Sequence, residues 1–204
     1  MDDQRHLDLA ARWPLPGQDA LRDRLLAAYA DPARGYHDTT HLQEVLDHVD
    51  DLADQRTDLL PLILAVWFHD AVYDAQGDLE ERSAHLAGTS LTAAGSEPGL
   101  VAEVARLVRL TATHRPEPDD HRGQVLCDAD LAILAADRQR YAAYVAGVRQ
   151  EYAQVEEAAF RRGRAVVLRD LAAKPSLFHT ARGRELWERT ARANLTRELA
   201  MLEA

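Results

Sequence analysis

The pair His69-Asp70 is the first candidate for chemistry, because it lies near the end of the most apolar segment of the chain, LLPLILAVWFHDAVY at residues 59–73. Burying a carboxylate without a partner costs several kcal/mol, so a cation must compensate Asp70. A divalent metal ion with His69 as a neighbouring ligand is one solution, and an arginine is the other. In the second case His69 is a core histidine bonded to the main chain, and the pair has no chemical role.

Two further histidines stand upstream in the segment YHDTTHLQEV, residues 36–45. His41 lies at the start of a helix with an apolar stripe at three- and four-residue spacing, which brings it near a face that meets another helix. Asp38 and Thr39 are typical N-cap residues. We therefore expect His37 to lie before the helix, either as a loop residue or as a second ligand.

Downstream, the segment CDADL at residues 127–131 places two carboxylates at the predicted start of a short helix. Asp128 suits the N-cap, where a carboxylate accepts main-chain N–H groups. Asp130 lies two residues further on and can face inward. His114 ends another predicted helix, where it either complements the helix dipole or lines a polar cavity.

Helices must position these residues, because apolar spacing of three and four residues recurs along the chain and alternating strand patterns are absent. Turn and cap residues delimit the segments, and no linker separates two regions. We predict an all-α, single-domain bundle of about nine helices over residues 1–204. The predicted helices cover residues 18–29, 40–54, 58–73, 80–94, 100–114, 128–136, 138–162, 165–173 and 181–203.

Composition excludes several classes of protein. The formal net charge of -10 argues against a nucleic-acid polymer as partner, since phosphate repels an acidic surface, although local basic pockets are compatible with it. The single cysteine, Cys127, excludes an internal disulfide framework and suits a reducing cytoplasm. The first residues lack the pattern of a signal peptide, and no apolar run approaches the ~20 residues of a membrane span. We therefore expect a cytoplasmic protein without a membrane partner.

His41, His69-Asp70 and Asp130 together spell H…HD…D, which resembles the HD superfamily of metal-dependent phosphohydrolases, an all-helical fold. A small subgroup of predicted HD phosphohydrolases is similar over nearly the whole chain from residue 36. Its segments YHxxxHL, WFHDxVYD, NExxSA, TxxH, DADLxIL, VRxEY, GRxxVL and ARxNL match residues 36–42, 67–74, 80–84, 111–114, 128–134, 148–152, 163–168 and 191–195. Leu79 departs from this pattern, in which Asn precedes the glutamate. This departure puts a hydrogen bond around the site in doubt, not the metal.

The resemblance implies His41, His69, Asp70 and Asp130 as ligands of a divalent metal ion. A mixed nitrogen and oxygen site suits Mn, Fe, Co, Ni, Zn or Mg, and the sequence does not choose among them. Such an ion lowers the pKa of bound water and polarises a phosphoryl oxygen. Asp70 is the ligand best placed to bridge a second ion.

Two carboxylates are candidates for the acid or base that works beside the metal. Asp74 lies one turn past Asp70 if the helix continues, and Glu80 matches the subgroup segment. Alternatively, Asp74 is a helix-end carboxylate and Glu80 pairs with an arginine such as Arg82.

Binding of phosphate also requires positively charged hydrogen-bond donors. Arg149, in the segment VRQEY, matches the subgroup and can grip phosphate with two hydrogen bonds. The alternative is an ion pair with one of three nearby glutamates, Glu151, Glu156 or Glu157. Three further side chains are candidates for contacting phosphate or lining its cavity: Arg82, His114 and His37.

The function predicted from these residues is hydrolysis of a small phosphorylated metabolite, either a nucleotide or a phosphomonoester. A non-catalytic module that binds a metal or nucleotide is the alternative from another class. A di-iron oxygenase is the third, and it would need extra ligands such as His37, His114 and Asp128. The apolar face of the last helix, with Trp187 and Leu199, either caps the domain or pairs with a second copy in a homodimer.

Overall fold

The computed structural model describes residues 2–54, 57–74 and 76–203, and within them the chain is helical without strands. Ten α-helices and one 3-10 turn, Ala132–Ala135, make up this part of the chain. The helices are α1 Asp2–Ala11, α2 Asp19–Tyr29, α3 Thr39–Leu52, α4 Leu59–Phe68, α5 Leu79–Ala93, α6 Pro98–Leu110, α7 His121–Leu131, α8 Arg138–Glu151, α9 Glu157–Ala173 and α10 Ala181–Glu203. The all-α prediction is confirmed. None of these helices combines the length and the apolar character that crossing a bilayer demands.

Two hydrophobic clusters form the interior. Side chains of α1 to α7 build the first cluster, and side chains of the 3-10 turn and α8 to α10 build most of the second. Ala129 of α7 belongs to the first cluster and Leu131 to the second. Asp130 therefore stands where the two clusters meet, and Trp187 of α10 packs against both.

Helix α4 lies at the centre of the first cluster, as its apolar sequence predicts. Its residues from Leu64 to Phe68 have no exposed surface. Helices α3, α5, α6 and α7 surround it. A helix that is apolar on every face is stable only when neighbours cover all of its faces. This burial makes α4 a rigid support for the polar pair that follows it.

The prediction that α4 continues to Tyr73 is wrong. The helix ends at Phe68, with His69 as its C-cap, and Ala71 N–H donates to the carbonyl of Phe68 in a turn. Helix α6 likewise ends at Leu110 rather than at His114, whose φ of 49° lies in the left-handed region. A side chain rarely adopts that conformation unless its surroundings hold it there.

Two other predicted boundaries are also wrong. Helix α7 begins at His121, because the Asp120 carboxylate accepts the N–H of Gly123 as its N-cap, so Asp128 lies near the end of the helix. The predicted helix 138–162 is divided, since Glu156 caps a new helix by accepting two main-chain N–H groups. That helix, α9, then runs through Gly163 without a break.

Helix α1 lies outside the predicted set. Among its side chains from residue 5 onward, Leu9 alone is fully buried. A helix held by one core side chain leaves almost no periodic signal in its sequence. Within the described residues, α1 alone accounts for the count of ten α-helices instead of about nine, because α8 and α9 replace two predicted helices with two.

Candidate metal centre

Four predicted ligands converge between α3, α4 and α7. The Nε2 atoms of His41 and His69 lie 3.1 Å apart, and both side chains are buried. Asp130 Oδ1 lies 3.3 Å from His41 Nε2 and 3.7 Å from His69 Nε2. Asp70 Oδ2 lies 3.2 Å and 3.0 Å from the same two nitrogen atoms. His41, the pair His69-Asp70 and Asp130 lie far apart in the sequence, and the packing of α3, the end of α4 and α7 brings them together.

Each ligand is held by contacts of its own segment. The Asp38 carboxylate accepts the N–H groups of Thr40 and His41, which starts α3 one turn before the His41 side chain. His69 Nδ1 donates to the carbonyl of Val66 at 2.8 Å. In a neutral imidazole this bond leaves a lone pair on Nε2, facing the other ligands. The expected capping role of Asp38 is confirmed.

The four groups carry too many lone pairs and too much negative charge to face one another alone. Ligands in neighbouring positions, each about 2.1 Å from a shared ion, stand about 3.0–3.4 Å apart, which is close to the spacing observed here. A divalent cation would balance the two carboxylates and leave both imidazoles neutral. The donor set therefore fits a divalent metal ion. One atom each from His41, His69 and Asp130 lies within 4.8 Å of the others, the spacing of a metal-binding group.

Without a cation, protons on the two imidazoles balance the charge of the two carboxylates. Burial lowers the pKa of His41, but the bonds to Asp130 and Asp70 outweigh it and raise that pKa above its ordinary value. His69 behaves in the same way, chiefly through the charge of Asp70. Burial raises the pKa of both aspartates, and the adjacent imidazoles outweigh it and bring each pKa well below its usual range.

His114 contacts Asp130 on the side away from the two imidazoles. Its Nε2 atom lies 2.8 Å from Asp130 Oδ2, which leaves Oδ1 for the centre. Lys174 Nζ donates to the carbonyls of Thr113 and His114 at 2.9 and 3.0 Å, which holds the left-handed turn at His114. His114 thus orients a ligand, and it also lines the adjacent cavity.

Arg34 connects the two segments that carry His37 and Asp70, and the sequence reasoning missed it. Its Nη1 atom donates to the carbonyl of His37 at 2.9 Å and to that of Asp70 at 2.7 Å. Its Nη2 atom donates to the carbonyl of Ala71 at 3.1 Å. An arginine does therefore stand beside Asp70, but it binds the main chain and leaves the carboxylate to the imidazoles. The residue is buried, and a lone arginine two residues before the YH segment was the one signal that could have found it.

Glu151, rather than Arg149, is the residue of the VRQEY segment that approaches the site. Its Oε1 atom accepts the N–H groups of Gly35, Tyr36 and His37 at 2.8–3.1 Å. Its Oε2 atom lies 2.8 Å from His37 Nδ1. Burial raises the pKa of Glu151, but His37 and these N–H groups outweigh it and bring that pKa below its ordinary value.

Four of the residues considered at the sequence level have partners elsewhere. Arg82 and Asp74 form a pair with two hydrogen bonds of 2.7 Å, on a surface where both side chains are nearly half exposed. Asp74 lies beyond the end of α4, so the premise that it follows Asp70 by one helical turn is wrong. Arg149 donates to Glu157 and to two main-chain carbonyls, as its ion-pair alternative predicts. Asp128 accepts the N–H groups of His179 and Thr180, which anchors the start of α10.

A cavity of about 750 Å³ opens beside the ligand cluster. Asp130, His114, His37 and Glu80 are among the residues that line it. The ring of Tyr73 stacks on His37 at 3.9 Å and belongs to the same wall. The volume of the cavity lies in the range typical of small-molecule sites, about 300–1,000 Å³. Glu80 is thus the one proposed acid or base that the structure brings to this cavity.

A scan against protein-family models, a search of curated proteins and a search of solved structures each find no match for this chain.

Proposed function

We propose that this chain is a metal-dependent phosphohydrolase of the HD type, acting on a small phosphorylated metabolite. The observation that carries the proposal is the convergence of His41, His69, Asp70 and Asp130, in the order H…HD…D, beside a cavity that Asp130 lines and that is large enough for a substrate. A bound divalent ion would supply an activated water molecule and polarise a phosphoryl oxygen.

The residues of the chain would orient and exchange protons around that chemistry. In hydrolysis, a water oxygen bonds to phosphorus, the ester P–O bond breaks, and a proton from water goes to the departing alkoxide. Glu80 lies in the cavity wall and is the group we assign to that proton transfer. Glu151 accepts a hydrogen bond from Nδ1 of His37, so Nε2 is the nitrogen left for the substrate, and it donates to a phosphoryl oxygen when the ring is an imidazolium.

The alternative of a di-iron oxygenase loses support from the partners of its extra ligands. Such a site would need side chains such as His37, His114 and Asp128 around a second ion. His37 contacts Glu151, His114 contacts Asp130, and Asp128 accepts three hydrogen bonds from His179 and Thr180. Each of these three side chains is thus already bonded within the fold around one centre.

Elemental analysis tests the ligand assignment directly. We expect the wild-type protein to carry a stoichiometric divalent metal and the Asp70→Ala variant to lose it. Asp74→Asn is the matched control, since this acid lies four residues away on the surface and pairs with Arg82. Equal metal content in wild-type and Asp70→Ala protein would remove the assignment.

A phosphate-release panel tests the activity itself. Purified protein supplied with Mn, Co, Ni or Mg is offered nucleotides and phosphomonoesters, and inorganic phosphate is measured. We expect release by the wild type and the Asp74→Asn control and none by Asp70→Ala. Tight ligand binding without turnover over the whole panel would favour the non-catalytic binding module instead.

A further inference from the structure

The cavity beside the ligand cluster is apolar over most of its wall. One face of α9 contributes Phe160, Gly163, Val167 and Leu171 to this wall, and these residues recur at three- and four-residue spacing. Aromatic and aliphatic side chains cover the space between, among them Tyr144, Val148, Tyr152 and Leu134. Polar groups of the wall meet at Asp130, where His114 lies 2.8 Å from the carboxylate and the His37 ring lies 5.5 Å from that of the ligand His41. The cavity is thus divided into a polar end and an apolar body.

The one guanidinium group that lines this cavity among the described residues is already paired, and no ammonium group lines it. Arg164 is the one arginine in its wall among the described residues, and no lysine lines it. The Arg164 guanidinium donates to Glu198 at 2.8 Å and to the hydroxyl of Tyr144 at 2.7 Å, and its side chain is 10% exposed. Asp170, also in the wall, pairs with the exposed Arg115 at 2.8 Å. A chain of phosphates would find no unpaired guanidinium or ammonium group in this wall to neutralise it.

Two apolar side chains at the same wall are exposed. Val166 and Val167 of α9 line the cavity and keep 63% and 52% of their surface accessible. Large apolar side chains exposed next to a cavity are typical of a surface that an apolar ligand covers. The valines therefore extend the apolar body outward from the polar end.

We propose that this site selects a phosphomonoester with a single phosphate and an apolar organic group, in preference to a nucleoside di- or triphosphate. This inference rests on the proposed function, because the phosphate is assigned to the end of the cavity beside His41, His69, Asp70 and Asp130. Hydrolysis of such an ester by water yields inorganic phosphate and an alcohol. The apolar group of that alcohol lies along α9.

Binding of alkylphosphonates, which carry the headgroup but no cleavable ester, tests the ligand class without turnover. Calorimetry on the metal-loaded protein would compare methyl, butyl, hexyl and octylphosphonate with adenosine 5′-monophosphate and 5′-triphosphate. Burying each methylene should raise affinity by about fourfold until the cavity is filled. We expect octylphosphonate to bind at least tenfold more tightly than either nucleotide. A flat series, or tighter binding of the triphosphate, would overturn the inference.

Variants of α9 locate the apolar group. Val167→Thr keeps the shape of an exposed side chain and replaces one methyl group with a hydroxyl, and Phe160→Ala removes an aromatic ring from the wall. Both should reduce the gain in affinity from butyl to octyl while leaving methylphosphonate unchanged. Leu186→Ala is the control, since Leu186 is exposed on α10 and lies outside the cavity wall. An unchanged chain-length series in both α9 variants would contradict the assignment.

Turnover separates this inference from the proposed function. If alkyl phosphates release phosphate and kcat/KM rises with chain length, both proposals are supported. Hydrolysis restricted to nucleoside triphosphates would overturn the ligand class and keep the hydrolase. If no ester is cleaved but affinity rises with chain length, the hydrolase fails and the ligand class stands.

Discussion

The guanidinium of Arg34 donates to the main-chain carbonyl of Asp70 at 2.7 Å, while the carboxylate of Asp70 faces the imidazoles of His41 and His69. The same guanidinium binds the carbonyl of His37. One buried side chain thus holds the turn after α4 against the loop before α3. The position of Asp70 relative to His41 depends on it.

We expect Arg34→Lys to weaken metal binding although it keeps the charge. An ammonium group cannot reach three carbonyls in the fork geometry of a guanidinium, and losing the support of a ligand typically costs about 10–100-fold in metal affinity. Metal titration followed by calorimetry measures this change. Arg82→Lys is the control, because Arg82 pairs with Asp74 on the surface. An unchanged dissociation constant in Arg34→Lys would show that the loop before α3 keeps its position without the guanidinium of Arg34.

His114→Asn tests the support of the other aspartate. Asparagine tolerates the left-handed φ of 49° but is too short to reach Asp130 Oδ2. We expect metal affinity to fall by about 10–100-fold with little change in unfolding temperature. His85→Asn, an exposed histidine on α5, should leave the affinity as it is. A large loss of stability in His114→Asn would instead assign the residue to the fold alone.

Glu151→Gln should destabilise the protein in a pH-dependent way. The folded pKa of Glu151 lies below its ordinary value of 4.5. Its ionised form therefore stabilises the fold above that ordinary value, and this contribution is lost as the pH falls through the folded pKa. Removing one charged acceptor of main-chain N–H groups costs about 1–3 kcal/mol at neutral pH. Urea unfolding from pH 7 downward should show the wild type and variant converging below about pH 4.5.

The exposed Glu185 on α10 provides the control for that experiment. Glu185→Gln should differ from wild type by less than about 0.5 kcal/mol at every pH, as exposed substitutions usually do. A difference between wild type and Glu151→Gln that is the same at pH 7 and at low pH would contradict the role of the charge.

Metal binding should raise thermal stability, because the ion binds the folded chain. At one hundred times the dissociation constant the gain is about 2.7 kcal/mol, which for a chain of this size corresponds to roughly 5–10 °C in Tm. Scanning fluorimetry with a chelator and then with added Mn, Co, Ni or Zn measures the shift. Asp130→Asn should abolish it, whereas Asp170→Asn, an exposed acid, should retain it. A metal-induced shift of equal size in Asp130→Asn would exclude Asp130 as a ligand.

The sequence by itself determined the helical class, the central place of α4 and the start of α3. These properties are local: apolar side chains at a helical period predict a buried face, and Asp38 needs only the next three residues to cap a helix. The spelling H…HD…D identified the four side chains that converge. Local pattern also explains one wrong helix boundary, because glycine is typical of a helix end, whereas Gly163 lies inside α9.

The tertiary structure alone decided how those side chains are held and what lies beside them. Arg34 reaches the carbonyl of Asp70 across 36 residues, Glu151 accepts the main-chain N–H of His37 across 114, and Lys174 reaches the carbonyl of His114 across 60. Such contacts join a side chain to a distant main chain, and a carbonyl or N–H group has no identity in a sequence. The cavity likewise is lined by side chains of α7, α8 and α9, and an enclosed volume is a property of packed elements and not of any one of them.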